Sequence, residues 1–63
     1  QIHTVETAYG PVRVKVARYG GRVVNVKPEF EDVAAIARTK SLPYSEIEQA
    51  AIAAASSVRS AAA

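Results

Sequence analysis

Cysteine is absent from the 63 residues, which excludes disulfide staples and thiolate zinc sites. The lone histidine, His3, has neither a second histidine nor a cysteine to share a metal or a proton relay with. It reads as an exposed strand residue. Aromatics are few, one phenylalanine and three tyrosines, and none is interleaved with the basic positions as a single-strand nucleic-acid platform requires. No apolar run approaches the roughly 18 residues of a membrane span, and no signal-peptide pattern opens the chain. Neither sign of charge dominates. Eight Lys and Arg against six Asp and Glu leave a net charge of +2, which tolerates a polyanionic ligand without demanding one. The lack of cysteine fits a cytoplasmic setting.

Large apolar side chains are also in short supply. Of the 31 hydrophobic residues 13 are alanine, leaving nine valines, four isoleucines, one leucine, Phe30 and three tyrosines to build a core. A domain of about 60 residues buries only about 60% of its unfolded surface and is marginal alone. Without disulfides or a structural metal, oligomerisation or docking on neighbouring sequence is the expected support. The start at Gln1 and the finish in Ala61, Ala62 and Ala63 read as a part of a longer protein.

The chain does contain two clear periodicities. Ile2, Thr4 and Glu6 alternate with His3, Val5 and Thr7, and Tyr9-Gly10-Pro11 reads as a turn. Val12, Val14 and Val16 against Arg13, Lys15 and Ala17 is a clean period of two, rich in β-branched residues. Gly20-Gly21 suits a tight hairpin, and Arg22 to Lys27 forms a third strand with Val24 and Val26 assigned to the core face. Pro28 is placed at the first position of a helix, with Glu29, Glu31 and Asp32 near its positive end. Phe30, Val33, Ala34 and Ala37 share the apolar face of that helix, which should stop near Lys40. A second helix starts near Pro43, with Ser41 as its cap, and buries Ile47, Ala50, Ala51, Ala54 and Val58. The expected fold is α+β: a three-stranded antiparallel meander followed by two helices packed on one face, in the order β-β-β-α-α. Residues 1–58 are read as one small (sub)domain, the C-terminal fragment of a larger protein, and 59–63 as a frayed tail.

The tract YGPVRVKVARYGGRVVNVKPEFEDVAAIA followed by LPYSEIEQAAIAAA resembles the C-terminal end of the nickel-insertion proteins that mature the nickel-pincer cofactor of lactate racemase, the LarC family. The likeness runs from about Glu6 to Ala55 and rests on the ETAYG turn, the VRVKVA and GRVVNVKPE strands and the PEFED helix start. Ala8 stands where a proline is expected, and Val33 where a cysteine is common. The resemblance implies a parent enzyme that uses CTP and manganese or magnesium to insert nickel, the substrate metal, into a pyridinium bis-thiocarboxylate mononucleotide. It also implies that the C-terminal part binds CTP and assembles into oligomers. The segment itself, lacking the N-terminal region, is not expected to catalyse a reaction.

The expected nucleotide-contacting residues are Arg13, Lys15, Arg18, Arg22, Asn25 and Lys27, because guanidinium forks and ammonium groups match phosphate oxygens. The residues alone favour a solvated strand face, and the resemblance brings the nucleotide reading level with it. Glu29, Glu31 and Asp32 are better explained by the helix dipole than by a divalent metal, and no metal ligands are assigned. No catalytic residue is assigned either, since no serine has a histidine or lysine at a telling spacing. Two further readings remain open: a self-association module without a ligand, and a small basic nucleic-acid-binding module. The second is the less favoured.

Overall fold

Every hydrogen-bonding feature of the sheet follows from one parity. In the structure, a computed structural model that describes residues 1–58, Gln1 and Val16 exchange backbone hydrogen bonds, the Val16 N–H donating at 2.7 Å and the Gln1 amine at 3.3 Å. β1 (Ile2–Thr7), β2 (Gly10–Tyr19) and β3 (Arg22–Pro28) pair antiparallel in the order β1-β2-β3. Because bonded and non-bonded pairs alternate along an antiparallel ladder, His3, Val5 and Thr7 bond to β2. Ile2, Thr4 and Glu6 direct their N–H and C=O groups away from it. The partner of Glu6 is Pro11, which has no N–H to offer, as this parity requires. Two helices follow, α1 (Phe30–Lys40) and α2 (Tyr44–Ala54), as the hydrophobic periodicity predicts.

The valines alternate as expected, with Val12, Val14 and Val16 buried and Arg13, Lys15 and Ala17 exposed. They meet Val5, Val26, Val33, Ala37, Ile47, Ala51 and Ala55 in one core. Ile47, Val12, Val14 and Val33 are fully enclosed, each contributing roughly 1.5–3 kcal/mol by leaving water. Both turns differ in kind. Tyr19 pairs with Arg22 across Gly20 and Gly21, whose φ values of 58° and 80° give the doubly left-handed loop that hairpins favour. The first turn consists of Ala8 and Tyr9 rather than Tyr9-Gly10-Pro11. There the Thr7 hydroxyl accepts the Tyr9 N–H at 3.0 Å and donates to Gly10 O at 2.8 Å.

Several local expectations are corrected. Val24 is 57% exposed, not a core residue. Ala17 pairs with Asn25 but Arg18 with Val23, so Val24 is the extra residue of a β-bulge, and Val23 turns inward in its place. Pro28 does not begin the helix. It ends β3, buried, its missing N–H on the free side of the edge strand, and Glu29 is the N-cap. Phe30, assigned to the buried face, is 66% exposed. Ser41 closes α1 rather than capping α2. It adopts φ 55°, ψ 44° while its N–H and that of Leu42 bond back to Arg38 O and Ala37 O, a Schellman closure. Pro43 is the N-cap of α2, one residue ahead of the helix. Val58, assigned to the buried face of the second helix, is half-buried against the core, its N–H donating to Ala55 O. The expected frayed tail, 59–63, lies outside the described residues.

Where β3 turns into α1, the ladder on β2 is completed by other means. Glu29 N–H donates to Arg13 O at 2.8 Å, which leaves the Arg13 N–H with no strand beyond it. Asp32 Oδ2 accepts that N–H at 2.9 Å and the Arg13 Nε–H at 2.9 Å, while Oδ1 accepts from Nη2 at 2.7 Å. One carboxylate thus joins α1 to the backbone and side chain of β2. The guanidinium and backbone donors lower the Asp32 pKa from 3.8 to about 2, and the same contact raises that of Arg13.

Two outcomes test this account. Val24→Ala should change stability by less than about 0.5 kcal/mol, whereas Val26→Ala should cost roughly 1–3 kcal/mol in urea denaturation. Equal costs would contradict the bulge. Asp32→Asn should destabilise by about 1–2 kcal/mol at neutral pH. Since the Asp32 pKa is depressed on folding, its contribution is complete above the unfolded value of 3.8 and is lost as pH falls through about 2. The stability gap between the native protein and Asp32→Asn should therefore close between about pH 4 and pH 2. A gap constant over that range would refute the assignment.

Candidate functional site

The exposed face of the sheet collects most of the polar residues expected to contact a nucleotide. Alternation places Arg13, Lys15, Asn25 and Lys27 on it, all exposed. Arg22 lies at the hairpin end, opposite Tyr19. Arg18 does not join them. Beyond the bulge it pairs with the inward-turned Val23, and its Nε–H donates to Gln1 Oε1 at 3.1 Å. Arg13 shares the face but its guanidinium is held by Asp32. The six residues therefore do not form one continuous cationic surface.

Lys15 and Lys27 are the cations the fold leaves together. They are directly opposed across the β2–β3 ladder, where Cβ atoms sit about 5 Å apart and like charges repel. Neither forms an ion pair among the described residues. Both line a depression of about 180 Å³ with Pro28, Glu29 and Phe30. Its make-up is two ammonium groups, an exposed aromatic ring and one carboxylate. Such a set can bind an anion that carries a flat or hydroxylated group. Phe30 also contacts Tyr44, ring centroids 5.4 Å apart, which steadies the ring at the entrance of α1. Sequence periodicity missed Phe30 as a site residue because it falls on the apolar register of α1. Its position as the first helical residue, directly after the strand bearing Lys27, is the signal that points to the depression.

A second depression, about 280 Å³, is lined by Tyr9, Ala35, Ile36, Thr39 and Lys40. Beside it the Tyr9 hydroxyl donates to Glu46 Oε2 at 2.7 Å. This hydrogen bond to a carboxylate, aided by burial, raises the Tyr9 pKa. Burial and the nearby Glu48 charge do the same for Tyr44. Both tyrosines therefore stay neutral and serve packing. His3 is half-buried on the inner face rather than exposed, and its Nε2 has no hydrogen-bond partner among the described residues. It faces inward because it shares the parity of Val5. No group of three or more His, Cys, Asp or Glu side chains suited to a metal occurs among the described residues. Glu29, Glu31 and Asp32 do not converge as such a group, and Asp32 is taken by Arg13. No helix among these residues is long and apolar enough to cross a membrane.

Comparison with known proteins places this geometry. The nickel insertion protein family model matches residues 1–48. A Cyanothece protein named for nickel insertion is 50% identical over 52 residues, covering 82% of this chain and 13% of its own length. The pyridinium-3,5-bisthiocarboxylic acid mononucleotide nickel insertion protein of a Thermotoga strain is 38% identical over 58 residues, 92% of this chain and 14% of the relative. Among solved structures, the apo C-terminal domain, LarC2, of a cyclometallase involved in synthesis of the NPN cofactor of lactate racemase superposes with a TM-score of 0.82. It is 38% identical and covers 89% of this chain and 38% of that one. The chain thus spans about an eighth of the length of these full-length relatives. With most of its described residues matched by that family model, and with 89% of its length superposing on part of that domain, the chain belongs to the nickel insertion protein family.

Proposed function

We propose that this chain works as the C-terminal segment of a CTP-dependent nickel-insertion enzyme of nickel-pincer cofactor synthesis, contributing to nucleotide binding and to oligomer assembly. The family match over residues 1–48 carries the reading. It is supported by the names of the relatives, which specify a pyridinium bis-thiocarboxylate mononucleotide and the lactate racemase cofactor. Nickel is then the metal delivered, and manganese or magnesium accompanies the CTP. The protein would act in the cytoplasm.

Within this reading the polyphosphate is met by Lys15 and Lys27, whose mutual repulsion an anion relieves. Asn25 and Arg22 border the same face. Arg13 and Arg18 are the weaker contributors, since each is already engaged within the chain. Phe30 offers a ring for the base and Glu29 an acceptor for its amino group or for ribose hydroxyls. Metal coordination and the chemistry of insertion fall to parts of the enzyme beyond this segment.

The test is made in a full-length family member whose matching segment is exchanged for this chain. CTP with manganese should raise its melting temperature. Replacing Lys15 and Lys27 together by alanine should weaken CTP binding on the order of tenfold or more without lowering the ligand-free melting temperature. Arg13→Ala should do the reverse, lowering stability with little change in affinity. Unaltered CTP affinity in the double lysine variant would remove these residues from the nucleotide site.

A further inference from the structure

We draw no further inference here: the strongest candidate, the groove between the first turn and α1 that Tyr9, Ile36 and Lys40 line, carries nothing because the chain covers 38% of the matched domain and nothing in the structure shows what covers the groove.

Discussion

The carboxylate of Asp32 settles how this fold turns from sheet to helix. β3 ends at Pro28, one residue short of what β2 needs, because the chain must leave the sheet to begin α1. A donor on Arg13 is then left at the margin of a packed face, where an unpaired N–H costs free energy. Asp32, one turn into the helix, takes that donor and the guanidinium together. The angle at which α1 lies over β2 is fixed by this contact at one end and by Val33 and Ala37 in the core along its length. A helix-dipole explanation of Asp32 is correct as far as it goes. It accounts for the sign of the charge but not for why the acidic residue stands three positions after Glu29.

The same contact shapes the candidate site. By engaging Arg13 it withdraws one cation from the exposed face, and the cations that remain together are Lys15 and Lys27. The turn that creates the need for Asp32 also carries Glu29 and Phe30 to the rim of the depression beside those lysines. Fold and site are thus two consequences of one chain reversal. Arg13 serves architecture, and the lysines one rung further along the ladder form no ion pair among the described residues.

What could be read from the sequence was what lies along single elements. The valine alternation, the two-glycine hairpin and the helical spacing each depend on neighbours a few residues apart, and all three specify the observed β-β-β-α-α order. What could not be read depends on pairing between elements. The outward turn of Val24 arises from a register shift against Arg18, which no period within β3 encodes. Arg13 and Asp32 are 19 positions apart, and nothing in either local pattern couples them. Ser41 looked like a cap for the helix after it because serine is a good N-cap, yet the left-handed closure of α1 claimed it first. In the site, the positions of the cations were legible and their partners were not. The choice among them therefore had to wait for the fold. The family was legible for a different reason: its motifs are the turn and strand sequences themselves.

Stability in so small a chain must come from more than its core. Three of the ten core residues are alanines, Ala37, Ala51 and Ala55, and each removes little apolar surface from water. They permit the helices to lie close to the sheet, so the contact is intimate but its area is modest. A fold of this kind gains most from whatever continues its hydrogen-bond ladders, because each edge group left in water contributes nothing to cohesion. β3 gives up that gain, its edge closed by a bulge, a lysine and a proline.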